Sequence, residues 1–163
     1  MPKSEFVAKF GGVFEHSPWI AERACVHETA PVYKSAEDVH RLLVEVFRSA
    51  GAEERLGVLR AHPDLAGRIA TAGHLTAASA NEQASAGLDM LTDEERARFF
   101  ELNEAYVARF GFPFILAVKG LSKDEIIANF IARLGNDCAD EFNTACAQVE
   151  RIAYLRLLDM FSA

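Results

Sequence analysis

The chain has 163 residues, of which 50% are hydrophobic and 25% charged, enough to build one domain around its own core. Those proportions exclude a disordered chain, a collagen-like repeat and a disulfide-dense mini-protein. A formal net charge of −7 and a pI near 5.2 exclude a broadly basic nucleic-acid surface, so any anionic ligand has to be held by a local Arg or Lys.

The hydrophobic period is helical nearly throughout. Ser17-Pro18 places a capping side chain before a proline and opens a helix through Trp19, Ile20 and Ala24. Ser35 begins a second, with Val39, Leu42, Leu43, Val46 and Phe47 at three- and four-residue spacing and Gly51 at its end. Residues 53–61 form a short helix stopped ahead of Pro63. Residues 71–80 are small, polar and unpatterned, and read as a loop. Ser79-x-x-Glu82 then caps a helix running through Leu88. Thr92-x-x-Glu95 is a capping box that opens a helix closed by Gly111, and Ser122-x-x-Glu125 opens another closed by Gly135. The last helix runs from near Asp137 to about Met160.

Only residues 112–118 look extended. They are apolar enough to be buried, yet a lone strand has no ladder for its backbone groups, which must be met by helix ends, water or a ligand. No segment alternates with period two, and no repeat or linker divides the chain. The expectation is an all-α, single compact multi-helix domain over residues 1–163.

Residues 1–13 are not a secretion signal, and the longest apolar run, residues 110–118, is far below the ~20 residues a bilayer demands. Cys25, Cys138 and Cys146 are odd in number and lack CxxC spacing, which fits a reducing compartment. A soluble cytoplasmic protein without membrane or nucleic-acid partners is expected. No phosphate loop, HExxH, nucleophile elbow or dinucleotide fingerprint is present, and no metal-ligand spacing joins the histidines.

Three positions could carry chemistry. His62, in Arg60-Ala61-His62-Pro63-Asp64, lies where Pro63 breaks a helix. It is either a proton-transfer group near neutral pH or a cap at the helix C-terminus. Glu82 is the third residue of the Ser79 box, and is either a cap or part of an acceptor site with Ser79, Asn81 and Gln83. Arg156 falls inside the apolar stripe of the last helix, with Phe142, Ala145, Cys146, Val149, Ile152, Ala153 and Met160. A guanidinium there meets a buried carboxylate, carbonyls or an anionic ligand, or snorkels outward. Arg133, Arg41 and Arg96 fall on faces that solvation accounts for.

At these residues the sequence resembles the OHCU (2-oxo-4-hydroxy-4-carboxy-5-ureidoimidazoline) decarboxylases of uric acid degradation. The likeness runs through Phe10-Gly11-Gly12-Val13-Phe14-Glu15-His16-Ser17-Pro18-Trp19, Ala61-His62-Pro63-Asp64-Leu65, residues 79–88, Phe112-Pro113-Phe114-Ile115 and Ile152-Ala153-Tyr154-Leu155-Arg156-Leu157. The resemblance implies an all-helical homodimer that decarboxylates a small anionic ureidoimidazoline to (S)-allantoin without a cofactor or metal. Position by position it implies His62 as the catalytic histidine; the chemistry suits His62 as the acid with Glu82 as its partner, and leaves open which of the two delivers the final proton. It also implies substrate contacts from Pro63, Ser79, Ala80, Asn81, Gln83, Arg156 and the backbone of Phe114, Ile115, Leu116, Ala117 and Val118. Arg156 is then expected to face ligand, not to belong to a closed internal ion pair. The competing expectations are a helical module that binds a ligand or peptide without turnover, and a lyase or hydrolase acting on a related ureido compound.

Overall fold

The computed structural model describes residues 1–65 and 88–163. Among the described residues the chain is all-α, with seven α-helices, a 3-10 turn at Leu88–Met90 and isolated bridges in place of strands. The helices are α1 (Lys3–Phe10), α2 (Trp19–Ala24), α3 (Ala36–Ser49), α4 (Ala52–Ala61), α5 (Asp93–Phe110), α6 (Lys123–Leu134) and α7 (Cys138–Ser162). No helix among them is long and apolar enough to cross a membrane. The expected loop at 71–80 and the Ser79–Glu82 box lie outside the described residues.

Two units make up the described chain: Met1–His62 with Val149–Ala163, and Pro63–Gln148. In the first, α3 is an amphipathic helix whose Val39, Leu43 and Phe47 are 0–1% exposed, the i, i+4, i+8 spacing of a single face. Ser35 caps it by accepting the Asp38 N–H at 3.2 Å. Gly51 does not end it; Ala50 does, and Gly51 is instead the residue before α4. Phe6 and Phe10 of α1 gather Tyr33 and Phe161 around them at ring separations of 4.9–6.1 Å, and Phe14 packs on Phe47 at 5.4 Å. Each such buried ring contributes about 2–3 kcal/mol relative to exposure. Ser17 departs from its expected capping role: α2 has no side-chain cap, and the Ser17 hydroxyl turns back to donate to the Glu15 carbonyl.

In the second unit, Thr92 and Glu95 form both bonds of the capping box of α5, and Gly111 closes that helix at φ 77°, a conformation that favours glycine. The Ser122 box is half formed: its hydroxyl accepts the Glu125 N–H, and Glu125 answers by taking the same hydroxyl's proton at 3.3 Å. Asp137 caps α7 by accepting the Asp140 N–H at 2.8 Å. Phe99, Tyr106, Phe114 and Phe130 are all fully buried, and Phe114 stacks on Phe130 with centroids 3.7 Å apart.

Candidate active site

The second half of α4 carries Val58 and Leu59 inward, and Pro63 forces the residue before it out of helical dihedrals. His62 accordingly has ψ 138°, while its N–H still bonds the carbonyls of Val58 and Leu59 at 3.2 and 3.3 Å. The two readings of His62 are thus compatible, because the cap is made by its backbone and the imidazole is left for other work. Burial pulls the imidazole down from 6.5 to about 3, and the charges of Arg156 and His16 act in the same direction. His62 is neutral at neutral pH. A resting imidazole of this kind accepts a proton before it can donate one.

Arg156 lies on the buried stripe of α7 with Val149, Ile152 and Ala153, and is 7% exposed. The stripe ends one turn later, since Met160 is 36% exposed. Its Nη1 donates to the Val13 carbonyl at 3.3 Å, and its Nη2 stands 3.7 Å from Glu15 Oε2. A buried carboxylate and a carbonyl, two of the partners open to a guanidinium on that stripe, thus both stand beside Arg156. The local fold explains why Glu15 is there. Residues 14–17 form a turn in which Ser17 N–H returns to the Phe14 carbonyl at 3.0 Å. His16 takes φ 58° at the third position, an uncommon conformation for a residue with a Cβ. That turn sends the Glu15 side chain inward, 4% exposed, and leaves His16 on the outside.

Glu15 is the residue that sequence reasoning passed over; it appeared there only as one letter of a motif. Arg133 is a plain error of assignment. It is 6% exposed, with Nε bonded to Glu141 Oε1 at 2.7 Å. The signal was available, because Ile126, Phe130 and Arg133 follow one another at i, i+4, i+7, the same test that singled out Arg156. Arg41 and Arg96 are exposed as expected.

The other candidates fall elsewhere. Ser79, Ala80, Asn81, Glu82 and Gln83 lie outside the described residues. Pro63 and residues 114–118 belong to the second unit. There Phe114, Ile115, Leu116 and Val118 are buried, so what the segment can offer a ligand is backbone. The question of its unpaired groups has a partial answer in side chains: Arg133 Nη1 donates to the Ile115 carbonyl, and Gln148 Oε1 accepts the Ala117 N–H at 2.9 Å. Asp64, just after Pro63, accepts the Asn103 amide at 2.8 Å.

A neutral, half-buried imidazole sharing a unit with a buried guanidinium and carboxylate suits proton transfer to and from an anionic compound. The family model for OHCU decarboxylase matches residues 1–158 of this chain. The chain belongs to the OHCU decarboxylase family. It is 42% identical to the 2-oxo-4-hydroxy-4-carboxy-5-ureidoimidazoline decarboxylase of Haloferax volcanii, covering 97% of this chain and 90% of that one. It is 38% identical to the uric acid degradation bifunctional protein of Bacillus sp. strain TB-90, across 99% of this chain but 31% of that longer protein. Among solved structures it is similar to an (S)-allantoin synthase, with a TM-score of 0.74 and 30% identity over 98% of this chain and 50% of the other. An OHCU decarboxylase crystallised in the presence of (S)-allantoin shares the fold, with a TM-score of 0.70 at 19% identity over 89% of this chain and 92% of that one.

Proposed function

We propose that this OHCU decarboxylase family member removes CO2 from 2-oxo-4-hydroxy-4-carboxy-5-ureidoimidazoline and delivers (S)-allantoin. The observation that carries the reading is a neutral, half-buried His62 within the electrostatic reach of Arg156, in a chain that matches the family over residues 1–158.

The chemistry follows from the substrate. A decarboxylation needs somewhere to put the electron pair of the breaking bond, and cofactors usually supply it. Here the carboxyl-bearing ring carbon adjoins a C=N bond. As the C–CO2 bond breaks, its pair forms a C=C bond between that carbon and its ureido-bearing neighbour, and the C=N pair moves onto nitrogen, which takes a proton. The resulting enol loses its hydroxyl proton to become the ring carbonyl, and the ureido-bearing carbon gains one. One proton from solvent thus replaces the departed carboxylate, and the face protonated at carbon sets the (S) configuration.

His62 starts neutral, so it takes the hydroxyl proton first and serves as the acid afterwards. Arg156 holds a substrate carboxylate or carbonyl through planar N–H groups. In this proposal Glu82 partners His62, and Pro63, Ser79, Ala80, Asn81, Gln83 and the backbone of residues 114–118 contact the substrate, as the resemblance implies. The same reading makes the protein a cytoplasmic homodimer that uses no cofactor. The net charge of −7 is no obstacle, because a buried pocket responds to its nearest groups.

The test is to generate the ureidoimidazoline from urate in situ and follow its disappearance and the optical rotation of the allantoin formed. Faster loss with (S) product supports the function. Saturable binding with an unchanged rate and racemic product indicates a binding module instead.

A further inference from the structure

Among the described residues two arginines are buried, each beside a buried glutamate, and the two pairs are built differently. In the second unit Glu141 Oε1 lies 2.6 Å from Arg133 Nη2 and 2.7 Å from its Nε. Glu141 also accepts the Tyr106 hydroxyl at 2.6 Å and the Asn136 amide at 3.0 Å. Hydrogen bonds close that pair at both carboxylate oxygens. In the first unit Glu15 Oε2 stands 3.7 Å from Arg156 Nη2, well beyond a charge-assisted hydrogen bond of about 2.7–2.9 Å. Glu15 therefore acts on Arg156 as a charge more than as a hydrogen-bond acceptor.

The turn that carries Glu15 is held under strain. The Ser17 N–H returns to the Phe14 carbonyl, the Ser17 hydroxyl donates to the Glu15 carbonyl at 3.4 Å, and His16 takes φ 58°. A residue with a Cβ keeps that conformation only where its surroundings over-determine it. Just ahead of the turn, the Val13 carbonyl accepts from Arg156 Nη1 at 3.3 Å. Two neighbouring groups thus face two nitrogens of one planar guanidinium and set its orientation. A buried ion pair adds little net stability over an apolar replacement of the same shape, so stability alone does not account for this carboxylate. The reaction does. Decarboxylation draws an electron pair out of the substrate carboxylate. A guanidinium gripping that carboxylate stabilises the substrate more than the transition state, and so slows the step. A fixed negative charge beside the guanidinium weakens its hold on an anion and leaves its planar N–H donors in place.

We propose that Glu15 is a positioning residue that sets the Arg156 guanidinium in place and tempers its grip on the substrate carboxylate, so that the bound anion is free to leave as CO2. This rests on the decarboxylase reading above. Glu15→Gln keeps the shape and an oxygen for the guanidinium but removes the charge. With substrate generated in situ, kcat should fall about tenfold while KM stays or falls, the pattern of ground-state binding that the transition state does not share. (S)-Allantoin, which has lost the carboxylate, should protect the variant against thermal unfolding as well as it protects the wild type. Glu15→Asp keeps the charge and withdraws it by one methylene. It should lower kcat by about threefold, again with no rise in KM, and decides the matter where Glu15→Gln does not fold. A raised KM or weakened allantoin protection means that Glu15 helps to hold the ligand, and overturns the proposal. So does kcat within about twofold of wild type alongside a lowered melting temperature, which leaves Glu15 structural. An active wild type with unmoved variants refutes the positioning role alone. A wild type that neither consumes the ureidoimidazoline nor binds allantoin refutes the function, and this inference with it.

Discussion

Replacing His62 by Asn should flatten the acid side of the stability profile. The folded protein holds His62 down from 6.5 to about 3, chiefly through burial, with Arg156 and His16 adding to it. As pH falls below 6.5 the unfolded chain therefore takes the proton first, and unfolding gains free energy. Above 6.5 neither state carries the proton and the effect vanishes; below about 3 both carry it and the slope ends. Each pH unit inside that window is worth up to about 1.4 kcal/mol, so going from pH 7 to pH 5 should cost the wild type about 2 kcal/mol through this one group. In a domain of this size that is a melting temperature lower by about 4–8 °C. Asn has no proton to take, and the remaining carboxylates and histidines are common to both proteins and cancel in the difference. Thermal melts of wild type and His62→Asn at matched ionic strength from pH 7 to pH 5 make the comparison. Parallel curves would refute the reasoning, because they would mean that the imidazole takes a proton as readily folded as unfolded. The same variant should keep its fold at pH 7 and lose about 10²–10⁴-fold in turnover.

Helix positions were legible in the sequence wherever they rest on local chemistry. The Thr92 and Ser35 caps, the Gly111 stop and the break at Pro63 are each set by a few adjacent residues, and all appear where their chemistry puts them. Ser17 misled because its hydroxyl had a second acceptor within reach, the Glu15 carbonyl, and a tight turn decides between such options. What the sequence could not show is which charge meets which. Arg156 was recognisably buried from its spacing, yet Glu15 reaches it from the far end of the chain, and no local pattern encodes that pairing. Arg133 was legible and misread, for its spacing with Ile126 and Phe130 marks an inward face. Residues 112–118 were recognisable as a buried stretch outside the helices and were expected to be extended, but the side chains that meet their backbone come from α6 and α7 and are fixed by tertiary structure alone.

Glu82→Gln should leave the melting temperature within a degree or two, since Gln replaces Glu well in a capping box. Turnover should fall by at least tenfold if its charge sets the proton affinity of His62, and unchanged turnover would return Glu82 to capping. Tyr106→Phe removes the hydroxyl that donates to Glu141 at 2.6 Å and should lower stability by about 1–3 kcal/mol in a denaturant titration; a value near zero would mean that Asn136 and Arg133 satisfy Glu141 alone. Arg156 permits the sharpest separation of binding from stability. Its neighbour Glu15 is 4% exposed, so Arg156→Ala takes a guanidinium away from a buried carboxylate and should cost about 3 kcal/mol. Changing Glu15 to Gln in the same protein should return much of that loss, whereas a guanidinium that serves ligand alone would leave the single variant as stable as wild type. Arg156→Lys keeps the charge beside Glu15 and gives up the planar fork. It should therefore melt close to wild type while (S)-allantoin protects it far less, and equal protection would show that Arg156 holds the fold together without touching the ligand.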